Sequence, residues 1–163
     1  MIVVDVKNLA KTAISAKSAK SAAAEVIEGE AKNLFRNRDI EVSIAFVGSR
    51  KIREINKKYR KIDSATDVLS FMEDDSDAAG LEGCPIILGE LVICPQKVKK
   101  DAQESGVAIK DEFSWVVVHG MLHLFGYDHE KGEEDAKKMR EKEKFYLSKI
   151  KLKSAKLKAQ SVK

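Results

Sequence analysis

The chain of 163 residues has the length of one domain, and its 44% of hydrophobic residues is enough for a core, which excludes a largely disordered protein. Its formal net charge is +4, yet six lysines and no acidic residue lie between Lys149 and Lys163. Subtracting those six charges leaves residues 1–148 with a net charge of −2, so the basic excess belongs to the C-terminal tail.

The cysteines and the hydrophobic pattern indicate the compartment. Cys84 and Cys94 form neither a Cys-x-x-Cys pair nor a disulfide framework, which favours the reducing cytosol. Residues 1–6 are too short for a signal-peptide core, and no hydrophobic run reaches the length that crosses a membrane. We therefore expect a soluble, cytoplasmic protein with no membrane partner.

Hydrophobic periodicity predicts four strands and five helices. The strands are expected at residues 2–6, 41–47, 68–71 and 88–93, and the helices at about 13–35, from Ser49 onward, and at about 95–105, 110–125 and 133–150. Ser49 is expected to cap the short second helix, and Gly126 is expected to end the fourth. An acidic loop from Glu73 to Gly83 should connect the third and fourth strands.

This order of elements predicts an α+β fold with α/β character, in which a small mixed four-stranded sheet packs against helices and the helix at 110–125 is central. The helix between the first two strands favours a right-handed crossover, while the strand order stays open. We expect one domain over residues 1–150 and a Lys-rich extension over residues 151–163. That extension is either a solvated helix end or an electrostatic tether to RNA.

All three histidines of the chain lie within eleven residues, at His119, His123 and His129. Residues four apart on a helix share a face, so His119 and His123 can reach one ion, and a left-handed turn at Gly126 can bring His129 to it as well. Three imidazoles leave a coordination position for water, which is typical of a catalytic zinc site. We therefore predict one Zn²⁺ per chain, a central metal-binding helix and a zinc-dependent hydrolase.

The same histidine spacing occurs in the metzincin proteases, where a glutamate directly after the first histidine is the general base. Here that position is Gly120, so a metallopeptidase of this type would lack its base. Asp128 has two open roles, because it either accepts a hydrogen bond from a ligating histidine or forms the exposed end of a turn.

Three sequence blocks have specific residue identities as well as spacing. The first block is His119-Gly-x-Leu-His123-Leu-x-Gly126-Tyr127-Asp128-His129. The second is Asn56-x-x-Tyr59-Arg60 followed by Asp63-x-x-Thr66-Asp67-Val68-Leu69-Ser70-Phe71, and the third is Leu88-Gly89-Glu90-Leu91-Val92-Ile93. Together the blocks cover about residues 40–130 and resemble the YbeY family, bacterial-type metal-dependent endoribonucleases that act in ribosomal RNA maturation. Ala65 and Glu90 stand where that family usually has Pro and Asp, and the Lys-rich extension is not a family feature.

The resemblance implies a single-strand-specific, zinc-dependent endoribonuclease acting in ribosomal RNA maturation and ribosome quality control. Single-stranded ribosomal RNA would be the substrate, and the ribosome or ribosomal proteins would be partners. It also implies that the three histidines are the metal ligands and that Arg60 is the catalytic residue, since a planar guanidinium matches a phosphodiester. The structural alternative for Arg60 is an ion pair with Asp63 or Asp67. Thr66 and Asp67 either shape the cleft wall or cap a turn.

The mechanism has two open points. The nucleophile is either the 2′-OH of the RNA or a water activated by zinc, and no residue is identified as the general base.

Two alternatives belong to other functional classes: a non-catalytic zinc-containing ribosome-assembly or RNA-binding factor, and a metallopeptidase. Loss of turnover with a chelator separates an enzyme from the first alternative, and a peptide assay beside an RNA assay tests the second.

Overall fold

A computed structural model describes residues 1–34, 38–73 and 84–160. The described strands are Ile2–Asn8 (β1), Ile40–Phe46 (β2), Val68–Met72 (β3) and Ile86–Ile93 (β4). The described helices are Ala16–Leu34 (α1), Ser49–Arg60 (α2), Pro95–Ser105 (α3), Ile109–Leu124 (α4) and Glu133–Gln160 (α5). The predicted types and order of elements are confirmed, while the expected acidic loop lies outside the described residues from residue 74 onward.

The described strands form one mixed sheet in the order β1-β2-β4-β3. β1, β2 and β4 are parallel, and β3 runs antiparallel to β4 at one edge. This arrangement confirms the predicted α+β fold with a small mixed sheet. It also supplies the strand order, which the sequence left open, and packs β3 against α4.

The two faces of the sheet are covered to different extents. α1 and α4 pack on one face over a large apolar cluster, in which Phe46, Val117 and Met121 have no exposed surface. α5 then packs on α1 and α4. On the other face a smaller cluster joins Ile52 of α2 to Leu69 of β3. The central position of α4 follows, because it lies between the sheet and α5.

The turn at the end of α4 has the geometry that the sequence predicts. α4 ends at Leu124, and Gly126 has a left-handed φ of 85°. The backbone N–H of Gly126 donates to the carbonyl of His123 at 2.9 Å, and the N–H of Tyr127 donates to the carbonyl of Leu122 at 3.1 Å. These bonds satisfy carbonyls at the helix end, and they confirm Gly126 as the residue that turns the chain.

The start of α2 differs from the prediction. Ser49 is the first helical residue, Gly48 occupies the N-cap position in an extended conformation, and no side-chain capping bond forms. The Ser49 hydroxyl instead lies 3.4 Å from the Cys94 sulfur. The predicted cap is wrong because this side chain is directed into the protein, where it contacts the end of β4.

A carboxylate joins α1 to α5 and to the loop after α4. Glu30 accepts hydrogen bonds from the Tyr146 hydroxyl at 2.5 Å, the Lys142 ammonium at 2.8 Å and the Tyr127 hydroxyl at 3.0 Å. Burial raises the pKa of Glu30, but these three hydrogen bonds outweigh burial and hold the pKa below its ordinary value. The ionised Glu30 therefore fixes Tyr127, two residues before His129.

The Lys-rich segment begins within α5, which continues past residue 150 to Gln160. Lys149 lies 3.4 Å from the Glu25 carboxylate, which also pairs with Lys153, and the Glu25 side chain is only 4% exposed. Lys151 lies 3.9 Å from the Asp111 carboxylate. These three lysines have acidic partners within the protein, so they are less available to an RNA ligand. The tether to RNA stays a prediction.

Gly29→Ala is expected to lower the melting temperature. A Cβ at residue 29 would lie 2.1 Å from the hydroxyl oxygen of Tyr146, which is buried and bonded to Glu30. Overpacking costs about 1–3 kcal/mol and a displaced buried hydrogen bond about 1–3 kcal/mol, which together exceed the ~1 kcal/mol that alanine gains in helix propensity. Thermal unfolding followed by circular dichroism measures the change. Gly48→Ala is the control: its Cβ would meet nothing within 4 Å, so it should show only the smaller stability cost of alanine at an N-cap, and equal losses in both variants would contradict the packing.

Candidate metal centre

Two histidines project from one face of α4, as their four-residue spacing predicts. The Nε2 atoms of His119 and His123 are 3.2 Å apart. The ring of His129 approaches both, with centroid distances of 5.3 Å to His119 and 5.2 Å to His123. One ligand atom from each of the three residues lies within 4.8 Å of the other two. The structure therefore brings the predicted ligands together, and three imidazoles suit a divalent transition metal.

The turn after Gly126 carries His129 to the pair on the helix. Within this turn, Asp128 Oδ1 accepts the backbone N–H of Glu130 at 2.9 Å. That hydrogen bond is the main reason why the pKa of Asp128 lies below its ordinary value. Of the two roles left open for Asp128, this hydrogen bond supports the turn, although the side chain also lines the cleft.

Glu143 of α5 accepts a hydrogen bond from His119 Nδ1 at 2.7 Å, and both side chains are largely buried. Because a carboxylate only accepts, Nδ1 carries the proton and the lone pair of Nε2 is left for a metal. Sequence reasoning missed this residue. The available signal was an acidic residue on the apolar stripe of α5, four residues after Met139 and three before Tyr146.

Two further features of the histidines suit metal binding. Burial, followed by the proximity of His119 and His129, lowers the pKa of His123. A lower pKa keeps the imidazole neutral, which is the form that ligates a metal. Trp115, one helical turn before His119, stacks on its ring with a centroid distance of 4.8 Å and an interplanar angle of 28°. This contact and Glu143 fix the His119 ring from two directions.

A cleft of about 230 Å³ opens beside the histidines. Its walls come from the end of α2, the loop before β3, β3 itself and the segment from α4 to the loop that follows. The lining residues are Arg60, Thr66, Asp67, Val68, Ser70, His119, His123, Asp128, His129 and Glu130. The predicted ligands and the predicted catalytic arginine thus share one cleft.

Arg60 is the last residue of α2, and its side chain is exposed in the cleft wall. Lys61 follows with a left-handed φ of 64°, which turns the chain away from the helix axis. Asp63, one of the alternative partners of Arg60, lies 2.8 Å from Arg53 and 2.8 Å from Lys57. The hydrogen bonds from these two residues lower the pKa of Asp63 to about 2.

Asp67, the other alternative partner, forms a turn at the entrance to β3. Its Oδ1 accepts the backbone N–H of Val68 at 2.9 Å and the Thr66 hydroxyl at 3.0 Å, while its carbonyl accepts the N–H of Cys94 at 2.8 Å. Thr66 and Asp67 therefore shape the wall and build the turn at once. Across residues 1–34, 38–73 and 84–160, Arg60 has no ion-pair partner, so its guanidinium is available to a ligand.

Gly120 is a packing residue. A Cβ there would lie 3.0 Å from Leu91 Cδ2 and 3.2 Å from Val68 Cγ2, and the Gly120 carbonyl accepts the Ser70 hydroxyl at 3.2 Å. The absence of a side chain lets α4 approach the sheet closely. A glutamate base at this position, as in the metzincins, would have to displace the side chains of the sheet.

The fold and the cleft define a class of protein: an α+β domain whose central helix supplies two of three converging histidines, with an arginine in the facing wall. Among the helices within the described ranges, none is long and apolar enough to cross a membrane.

Comparison with known proteins identifies the family. A family model described as Endoribonuclease YbeY matches residues 5–151. A protein of that name from Aquifex aeolicus is 43% identical over 112 residues, covering 69% of this chain and 71% of the relative. Another from Pelotomaculum thermopropionicum is 42% identical over 132 residues, covering 80% and 83%. The chain belongs to the endoribonuclease YbeY family, which confirms the resemblance carried by the three sequence blocks.

A solved structure agrees with this assignment. The solution structure of a protein from Thermotoga maritima matches the fold with a TM-score of 0.60 and 31% sequence identity. The match covers 92% of this chain and 89% of the other. The arrangement of sheet and helices is therefore similar over almost the whole length of both proteins.

Proposed function

We propose that this protein is a zinc-dependent endoribonuclease that cleaves single-stranded regions of ribosomal RNA during ribosome maturation and quality control. One observation carries the proposal: His119, His123, His129 and Arg60 converge in a single cleft. The family and the names of its relatives support phosphodiester hydrolysis of RNA as the reaction. The ribosome and its proteins are the partners that this role implies, in the cytoplasm.

The donor set supports zinc as the metal. Ligand atoms about 2.0–2.1 Å from a tetrahedral zinc ion lie about 3.3 Å from one another. The Nε2 atoms of His119 and His123 are 3.2 Å apart. Three imidazoles without a thiolate are typical of a catalytic zinc site, whereas structural sites have four protein ligands. We expect one ion per chain.

The residues of the cleft have separate roles in the proposed reaction. A bound zinc ion would supply Lewis-acid chemistry to the phosphate or to the attacking hydroxyl group. Arg60 donates hydrogen bonds to the non-bridging phosphate oxygens, which orients the phosphodiester and stabilises the negative charge that builds up during cleavage. Glu143 holds the proton on His119 Nδ1 and prevents rotation of the ring.

RNA cleavage by the purified full-length chain tests the proposal. Single-stranded and duplex oligonucleotides should be compared before chelation, after chelation and after zinc is added back. We expect cleavage of the single strand, loss with the chelator and recovery with zinc. RNA binding without cleavage at full zinc occupancy would favour the assembly factor, and hydrolysis of casein alone would favour the peptidase.

Glu143→Gln is expected to weaken zinc binding by about 10- to 100-fold, because residues that orient metal-ligating histidines contribute affinities of this size. An amide can offer its NH₂ group to His119 Nδ1 and favour the wrong tautomer. Competition with a chromogenic chelator measures the zinc affinity. Glu141→Gln, at an exposed position on the same helix, is the control. Equal zinc affinities for the two variants would exclude the orienting role.

A further inference from the structure

A second cavity, of about 590 Å³, lies next to the metal cleft. β3 separates the two spaces, because successive side chains of a strand point to opposite faces. Val68 and Ser70 line the metal cleft, whereas Phe71 lines the second cavity. The end of α2 contributes to both, since Arg60 lies in the metal cleft and its neighbour Tyr59 lines the second cavity.

An aromatic pair forms one wall of this cavity. The Tyr59 side chain is 59% exposed, and its ring meets that of Phe71 edge-to-face, with centroids 5.2 Å apart and planes at 71°. The Lys58 ammonium lies 4.9 Å from the centroid of the Tyr59 ring. The Lys58 ammonium covers part of the Tyr59 ring, and displacement of this exposed lysine side chain would open a ring surface on which a flat group can stack.

The charges around the cavity favour a base over a phosphate as its ligand. Lys51 and Lys58 balance Glu54 and Glu90 around its rim, and the aliphatic side chains of Ile55 and Val92 complete the lining. Glu54 already accepts a hydrogen bond from Arg50 at 3.2 Å. A cavity with aromatic walls and no net charge suits a nucleobase, while the positively charged Arg60 on the other side of β3 suits the phosphate.

We propose that this cavity is a base-binding subsite in which a nucleotide flanking the cleaved phosphodiester stacks its base on Tyr59. The proposal rests on the function proposed above, because the RNA strand must reach the metal cleft. Tyr59 and Arg60 are consecutive residues, with Cα atoms about 3.8 Å apart. Contact of the strand with both residues therefore places one base and its neighbouring phosphate on opposite sides of the β3 edge. Every base can stack on an aromatic ring, so Tyr59 would increase the affinity for RNA and fix the register of the strand without selecting one base.

Affinity for a labelled, cleavage-resistant 2′-O-methyl analogue of single-stranded RNA, measured by fluorescence anisotropy on the zinc-loaded full chain, tests this subsite. Tyr59→Ala should weaken binding by roughly 5- to 150-fold, the range that loss of one base–aromatic stack gives. Tyr59→Trp should bind at least as well as wild type, because the indole keeps a stacking surface. Phe145→Ala is the matched control: Phe145 is also exposed, at 49%, and has Lys149 over its ring at 4.7 Å, but it lies on α5 outside the metal cleft.

A second probe locates the stacked base. A set of oligonucleotides carries one abasic nucleotide each, at a different position in each strand. Wild type should bind most weakly to the strand whose abasic nucleotide lies next to the cut, whereas the affinity of Tyr59→Ala should not depend on that position. In steady-state cleavage, Tyr59→Ala should raise KM more than it lowers kcat. If wild type cleaves RNA but Tyr59→Ala binds as tightly as Phe145→Ala, only this subsite is excluded. If wild type neither binds nor cleaves RNA, the proposed function and the subsite are both wrong.

Discussion

His123→Ala is expected to remove most of the bound zinc and to slow RNA cleavage strongly. This side chain supplies one of three converging nitrogen atoms, with Nε2 at 3.2 Å from that of His119, and a site with two imidazoles holds zinc weakly. Zinc content should fall from about one ion per chain to below a tenth of that in protein purified without added metal. Cleavage should fall on the order of 1,000-fold, since a catalytic metal contributes several kcal/mol to transition-state stabilisation.

Elemental analysis and a single-stranded RNA assay measure the two losses on the same preparation. Circular dichroism should show an intact fold, because the neighbouring core residues Leu122 and Leu124 are unchanged. Asp128→Asn is the matched control, because it changes a cleft residue whose own hydrogen bond closes a turn and is not one of the three ligands. Full zinc occupancy in His123→Ala would show that the three-histidine assignment is wrong.

Arg60→Ala should retain zinc and the fold while RNA cleavage falls by about 100- to 1,000-fold, the loss expected when one preorganised donor to a developing oxyanion is removed. The reason is that Arg60 lies in the cleft wall as an exposed side chain, while Asp63 and Asp67 bind other partners. Arg60→Lys should recover only part of the rate, since an ammonium lacks the planar pair of donors.

The controls for Arg60 come from the same helix. Arg50→Ala removes an equal charge from a side chain that is 93% exposed and pairs with Glu54 on the same helix, so it should leave cleavage close to wild type. Zinc content and melting temperature should be measured beside kcat for each variant. If Arg60→Ala cleaves as fast as Arg50→Ala, the arginine has no part in the chemistry.

Local sequence determined the element types and most of the site. The four-residue spacing of His119 and His123 fixes a shared helix face, and Gly126 permits the left-handed turn, because both are properties of a short stretch of backbone. The alternation of hydrophobic and polar residues in β2 and the mostly apolar composition of α4 predicted their positions for the same reason. Ser49 does not cap α2, because its hydroxyl contacts Cys94, which is 45 residues away in the chain.

Only the tertiary structure decided which distant groups meet. Glu143 reaches His119 across 24 residues, and Tyr146 reaches Glu30 across 116. The strand order, which puts β3 between the metal cleft and the second cavity, likewise depends on packing across the whole sheet. Such contacts form between residues far apart in the chain, and no periodicity encodes them. The sequence by itself therefore predicted the three histidines, which the structure brings together, while the tertiary structure decided which carboxylate bonds to His119 and which aromatic pair lies beside Arg60.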